Sequence, residues 1–179
     1  MSDTITVKDK QFTPYISADQ IQLRVRELAR QINADYAGKA PLFIAILNGS
    51  FMFAADLFKH LDIDCSVSFV KVASYKGTTS TGRVINLIGL DEMIKDRDII
   101  ILEDIVDTGK TLSELLPDFY NQNPASLRIL SLLTKPSCLK YNVEVNYVGF
   151  EIPNEFIIGY GLDYDGLARN LKDIYQIVA

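Results

Sequence analysis

Two short runs in this 179-residue chain are apolar throughout: Leu42-Phe43-Ile44-Ala45-Ile46-Leu47 and Ile99-Ile100-Ile101-Leu102, the second opened by Asp98. An uninterrupted apolar run of this length has no wet face, so it reads as a strand covered on both sides. Parallel strands of that kind are joined by crossovers, usually helices. The intervening sequence agrees. Phe51 to His60 reads as a short helix, Ser66 to Val72 as a strand, Thr111 to Tyr120 as a helix and Leu127 to Leu133 as a strand. Tyr147 to Phe150 and Phe156 to Gly159 read as further short strands. Ahead of them, Ser17-Ala18-Asp19-Gln20 forms a capping box. Ile21, Val25, Leu28, Ile32 and Tyr36 follow at helical spacing, and Gly38 supplies a stop. Strands alternating with helices predict an α/β fold with a central, mainly parallel twisted sheet flanked by helices.

The length and the absence of repeats or linkers point to one domain. Hydrophobic residues are 48 % and charged residues 23 %, values of an ordinary globular chain. The net charge is −5, from 18 Lys and Arg against 23 Asp and Glu. Binding to nucleic acid or an anionic membrane needs surplus cations, so neither is expected as a partner. No apolar run approaches the roughly 20 residues of a membrane span, and Met1-Ser2-Asp3-Thr4 begins nothing like a signal peptide. Cys65 and Cys138 set no disulfide framework and fit a cytoplasmic setting. The lone histidine, His60, excludes multi-histidine zinc sites and argues against Ser-His or Cys-His catalysis.

The chemistry concentrates in Ile100-Ile101-Leu102-Glu103-Asp104-Ile105-Val106-Asp107-Thr108-Gly109-Lys110-Thr111. This segment runs from a buried strand through a polar turn into a helix. Ligands of open parallel sheets bind beyond the carboxyl ends of the strands, which is where Glu103 and Asp104 are expected. Two adjacent carboxylates repel unless a cation or hydroxyl donors lie between them, and a sugar diol with Mg²⁺ nearby supplies both. Asp107 to Thr111 then falls at a helix N-terminus, whose free amides and positive dipole end attract anions. Thr108 and Thr111 add hydroxyls, and Gly109 admits a close-lying phosphate. The pattern points to a phosphorylated pentose. Gly109-Lys110-Thr111 resembles the end of a P-loop, but the earlier glycine of that motif is replaced by Asp104, an acid that would face a polyphosphate. The polar stretch from Ser74 to Gly82 suits a loop over a site.

Leu102 to Thr111 resembles the phosphoribosyl-diphosphate motif of type I phosphoribosyltransferases, and its Ile105-Val106 spacer and Lys110 resemble the hypoxanthine-guanine branch in particular. The likeness runs from about Leu42 to Arg169 and takes in Leu47-Asn48-Gly49-Ser50, Ser74-Tyr75, Lys135, and Phe156 to Tyr160 leading to Leu162-Asp163-Tyr164. It implies a transferase that joins a 6-oxopurine to phosphoribosyl diphosphate with Mg²⁺, releasing pyrophosphate. On that likeness Glu103 and Asp104 hold the ribose hydroxyls, directly or through Mg²⁺-bound water. Thr108, Gly109, Lys110 (by its backbone) and Thr111 cradle the 5-phosphate. Asp107 exchanges the purine N7 proton, Lys135 donates to O6, Phe156 stacks on the base and Ile157 pairs with it through backbone groups. Asp163 binds a second Mg²⁺ and Arg169 grips pyrophosphate. The Leu47-Asn48 peptide is a candidate cis bond, with the amides around Gly49 turned to pyrophosphate, and Ser74 and Tyr75 belong to a closing lid.

The same likeness implies a core of about residues 38–150, a small hood from about 1–16 and 151–179, and a homodimer or homotetramer. Two other readings stay open: a phosphoribosyltransferase for xanthine or another base, and a nucleotide-sensing RNA-binding regulator on the same fold, which the acidic balance disfavours. His60, Cys65 and Cys138 are read as structural.

Overall fold

The computed structural model describes residues 4–74, 85–88, 90 and 92–178. In chain order its elements are β1 (Ile5–Val7), β2 (Lys10–Ile16), α1 (Ala18–Asp35), β3 (Leu42–Leu47), α2 (Phe51–Phe58), β4 (Ser66–Ser74), β5 (Ile85–Ile88), β6 (Asp98–Val106), α3 (Lys110–Tyr120), β7 (Ser126–Thr134), β8 (Tyr147–Glu151), β9 (Ile157–Ile158) and β10 (Ile174–Ile177). A 3₁₀ turn covers Pro136–Cys138.

The expected buried strands form the middle of one sheet, ordered β5-β4-β3-β6-β7-β8. Five of these strands run parallel, and β5 pairs antiparallel at the edge. Alternation along β3 and β6 divides the core. Phe43, Ala45, Ile100 and Leu102 face a cluster shared with Val25, Leu28 and Ile32 of α1 and with Phe53 and Leu57 of α2. Leu42, Ile44, Ile99 and Ile101 face the opposite cluster, with Leu112, Leu115 and Phe119 of α3. Both faces of the sheet are therefore covered, which is why these strands carry long apolar runs.

The capping box is present at α1: Gln20 N–H donates to Ser17 Oγ at 3.3 Å, and Ser17 N–H donates to Gln20 Oε1 at 2.9 Å. Arg24 on this helix donates to the carbonyls of Gly149 (2.8 Å) and Val148 (2.7 Å), fastening α1 to the edge strand β8.

A second, antiparallel sheet is ordered β1-β2-β10-β9 and joins the two ends of the described chain. Pro14 in β2 sits opposite Tyr175, beside a register shift in β10, where a missing donor is tolerated. This sheet packs Ile16, Ile157 and Ile174 into the core on the α1 side, and Asp173 Oδ1 accepts the Ala18 N–H at the start of α1 (2.6 Å).

Strand β6 is longer than its apolar run. The sequence places Glu103 and Asp104 in a turn after Leu102, but β6 continues to Val106, because its ladder with β7 runs on through Glu103↔Ser131, Ile105↔Leu133 and Val106↔Thr134. Among the described residues, no helix is long and apolar enough to cross a membrane.

Candidate active site

A cleft of about 420 Å³ opens beyond the carboxyl ends of β3 and β6, where the rule for open parallel sheets puts it. It is lined by Leu47, Asn48 and Gly49, by Glu103 to Leu112, and by Asp163 and Arg169. Ile46 and Val72 complete the wall, and neither was anticipated from the sequence.

Glu103 is 6 % exposed, because it lies within β6 rather than after it. Burial, and then the neighbouring Asp104, push its carboxyl well above the ordinary range. Burial also raises Asp104, offset in part by the backbone N–H groups and by the charge of Arg169. The Ile105 N–H donates to Asp104 Oδ1 at 2.8 Å. Two buried like charges held side by side are unfavourable unless something positive or hydroxylated occupies the space before them.

Beyond the acids, Gly109 caps α3 with φ of +80°, a left-handed conformation that glycine adopts without strain. The turn from Asp107 to Thr111 is braced from behind: the N–H groups of Lys140 (3.0 Å) and Tyr141 (3.3 Å) donate to the Thr108 carbonyl. Within it the Lys110 N–H donates to Thr108 Oγ1 at 3.3 Å. The α3 N-terminus faces the cleft with its positive dipole end.

The opposite wall is the loop from β3 into α2. The Leu47–Asn48 peptide is cis. Ser50, fully buried, donates from Oγ to the Ile46 carbonyl at 2.5 Å and so closes this loop onto the strand it leaves. Gly49 is packed hard against Asp104: a Cβ there would fall on that carboxylate. Arg169 also lines the cleft. Its guanidinium donates to the Gly161 carbonyl (2.7 Å) and pairs with Asp163 (2.7 Å).

Lys135, just past β7, is 7 % exposed and pairs with Asp107 at 3.2 Å. It does not line the cleft itself; Asp107 connects it. Phe156 is 44 % exposed and packs against Phe12 and Tyr164, with ring centroids 6.3 and 5.9 Å away. Ile157 has its side chain in the core and pairs with Gln176 of β10. Phe156 and Ile157 likewise stand outside the cleft lining. Ser74 ends β4 opposite Ile85, and Tyr75 lies outside the described residues, as does the rest of the stretch 75–82 expected to form a loop.

An α/β sheet of this topology, with an acidic pair and an amide turn facing one cleft, defines a phosphoribosyl-transferring class. The chain belongs to the phosphoribosyl transferase domain family, which it matches over residues 17–165. It is 44 % identical over 168 residues to the hypoxanthine-guanine phosphoribosyltransferase of Streptococcus mutans, covering 89 % of this chain and 93 % of that one. It is 43 % identical over 160 residues to the hypoxanthine-guanine phosphoribosyltransferase of Bacillus subtilis, covering 89 % of each. Among solved structures, a hypoxanthine-guanine phosphoribosyltransferase from Bacillus anthracis aligns with a TM-score of 0.83 at 39 % identity, covering 93 % of this chain and 96 % of that one.

Proposed function

We propose that this chain is a purine-salvage enzyme that transfers the 5-phosphoribosyl group of phosphoribosyl diphosphate to N9 of hypoxanthine and guanine. The observation that carries this is the buried Glu103–Asp104 pair sharing one cleft with the amide turn of residues 107–111. A ribose diol and a 5-phosphate are joined by a short sugar, and the two subsites stand a few residues apart on one segment.

The acidic pair accepts hydrogen bonds from the ribose hydroxyls. Thr108, Gly109, the Lys110 backbone and Thr111 receive the phosphate, where helix amides and dipole favour an anion. Arg169 and the amides of Leu47, Asn48 and Gly49 take pyrophosphate oxygens. During transfer the bond from C1′ to pyrophosphate breaks, the bond from N9 to C1′ forms, and the N7 proton passes to Asp107. That carboxylate also stabilises positive charge building on the sugar. Lys135 donates to O6, which selects 6-oxo bases over adenine. Phe156 offers a stacking face, Ile157 backbone groups, and Ser74 and Tyr75 a lid that excludes water.

Mg²⁺ fits this donor set. Among the described residues no group of three or more metal-ligating side chains occurs, and Mg²⁺ is commonly held by one or two carboxylates plus phosphate oxygens and water. Glu103 and Asp104 would hold one ion with the diol, and Asp163 a second with pyrophosphate. Bound there, Mg²⁺ neutralises phosphate charge and eases departure of pyrophosphate.

On this reading residues of about 38–150 form the catalytic core, and about 1–16 and 151–179 form a hood carrying the base-facing groups. A homodimer or homotetramer in the cytoplasm, with no nucleic acid or membrane partner, completes the proposal; the free cysteines Cys65 and Cys138 fit a reducing compartment.

An ultraviolet screen of free bases with phosphoribosyl diphosphate and Mg²⁺ tests it. Hypoxanthine and guanine are expected to be consumed with release of pyrophosphate, and adenine is not. Exclusive use of xanthine, orotate or uracil, or no turnover together with tight RNA binding, overturns it.

A further inference from the structure

Asp56 lies on α2, outside the cleft lining, yet it collects donors from α1, from the C-cap of its own helix and from the segment after β9. Its Oδ2 accepts from Gln22 Nε2 of α1 at 2.6 Å and from the Tyr160 hydroxyl at 2.7 Å, while Oδ1 accepts from Lys59 at 2.8 Å. Tyr160 is 2 % exposed and has φ of +47°, which a bulky side chain adopts only when its surroundings hold it there.

The backbone beyond Tyr160 accounts for the arrangement. Gly161 N–H donates to the Arg169 carbonyl (3.0 Å), and the Gly161 carbonyl accepts from the Arg169 guanidinium (2.7 Å). A Cβ on Gly161 would meet the Gly49 carbonyl. The backbone carrying Arg169 and Asp163 therefore rests on the loop at the entrance of α2. One turn or so further along the same helix, Asp56 grips the residue next door. Helix α2 and its entrance loop thus touch the Tyr160–Gly161 segment at two points, one steric and one hydrogen-bonded.

We propose that Asp56 and Tyr160 form a positioning pair for the pyrophosphate half of the site, fixing Arg169 and Asp163 against the Leu47–Gly49 loop. The inference rests on the reaction proposed above. Neither residue lines the cleft; both act through the backbone of Gly161. Two of the groups assigned to the purine, Lys135 and Asp107, stand just past the ends of β7 and β6, away from the Asp56–Tyr160 contact.

Kinetics and titration calorimetry on the full chain test this. Tyr160→Phe removes only the hydroxyl. It is expected to raise KM for phosphoribosyl diphosphate, and Kd for inorganic pyrophosphate with Mg²⁺, by about tenfold, since small misplacements of binding groups carry large penalties. KM for hypoxanthine changes much less, because Lys135 and Asp107 are held by β7 and β6. Gln22→Ala removes a donor to the same carboxylate from the side of α1, so it lowers the thermal midpoint and leaves both KM values unchanged. Asp56→Ala repeats the reading should Tyr160→Phe not accumulate as folded protein. Unchanged pyrophosphate affinity in the tyrosine and aspartate variants, or equal losses for both substrates, overturns the clamp. A wild-type chain that binds pyrophosphate but uses no purine overturns the proposed reaction instead.

Discussion

Lys135 and Asp107 form an ion pair, Nζ to Oδ2, at 3.2 Å, with the lysine side chain 8 % exposed and the aspartate 47 % exposed. The pairing follows from strand register. Val106 of β6 stands opposite Thr134 of β7, and the Lys135 N–H donates to the Val106 carbonyl at 3.0 Å, so the next residue of each strand meets its neighbour. A buried ammonium needs a partner, and Asp107 supplies it while keeping half its surface open toward the cleft. In the proposed reaction, a purine approaching that open side meets Asp107 as the acceptor for N7, with Lys135, the group assigned to O6, already paired to it.

Asp107→Asn is expected to lower turnover by about 10²–10⁴, the usual range for loss of a general base. The same change leaves Lys135 without its counter-charge. Stability in a urea titration then falls, by less than the roughly 3–5 kcal/mol typical of a fully buried pair, because Asp107 is half exposed. Wild-type turnover in this variant removes Asp107 from proton transfer.

Lys135→Ala separates the two halves of the site. The discrimination of hypoxanthine against adenine should collapse, while KM for phosphoribosyl diphosphate changes little, since the proposed sugar and phosphate subsites lie on β6, α3 and the segment around Arg169. Equal losses for base and phosphorylated sugar contradict the placement of this lysine against O6.

Much of this was legible in the sequence, and the rest was hidden for identifiable reasons. Leu42–Leu47 is a strand with the expected ends, since both its faces are covered and its apolar run stops where the sheet stops. The β6 strand outruns its apolar run by four residues, from Glu103 to Val106, because the ladder with β7 continues into polar sequence and periodicity reports only burial. For the same reason the burial of Glu103 was unexpected. Strands β1 and β10 are three and four residues long, too short for a two-residue period to stand out, and Pro14 interrupts the pattern of β2. The pairing of Lys135 with Asp107 is set by register, which no single segment records. Asp56 and Tyr160 lie 104 positions apart, and although Tyr160 ends the Phe156–Tyr160 stretch of the family likeness, no local motif joins it to Asp56; Gly159, Gly161 and Gly166, all with positive φ, mark the tightly folded segment around it.

Gly49→Ala puts a methyl group where the Asp104 carboxylate lies. Either the carboxylate or the loop must move, and both belong to the proposed phosphoribosyl diphosphate site. A rise of roughly 10² in KM for that substrate is expected, with KM for hypoxanthine little altered. Wild-type kinetics in this variant would show that the contact between residues 49 and 104 has no part in binding.

Glu103→Gln removes a buried carboxyl whose ionisation is opposed by its burial and by the neighbouring Asp104. Such groups oppose folding and are kept for function, so the ligand-free variant should melt at a higher temperature than the wild type. The order reverses on adding phosphoribosyl diphosphate with Mg²⁺, because the wild type gains more from binding. Scanning calorimetry with and without ligand reads both effects. A variant less stable than wild type when ligand-free would mean that Glu103 is held by favourable partners rather than strained.

Asp56 gives a pH prediction with a definite sign. Burial pushes its carboxyl up, but hydrogen bonds from Lys59, Tyr160 and Gln22 outweigh it and hold the group below the ordinary value of 3.8. The folded state therefore binds this proton less readily than the unfolded chain, and the carboxylate stabilises the fold wherever it is ionised in both states. That contribution is complete above 3.8 and is lost as pH falls through the lower, folded value. The stability difference between wild type and Asp56→Ala, from urea titrations, should hold constant from neutrality down to about pH 5 and shrink toward acid. Other carboxylates titrate in both proteins and cancel in the difference. Growth of the difference toward acid would mean that desolvation defeats the three donors and the folded protein prefers Asp56 neutral, which would also remove the charge from the contact that holds Tyr160.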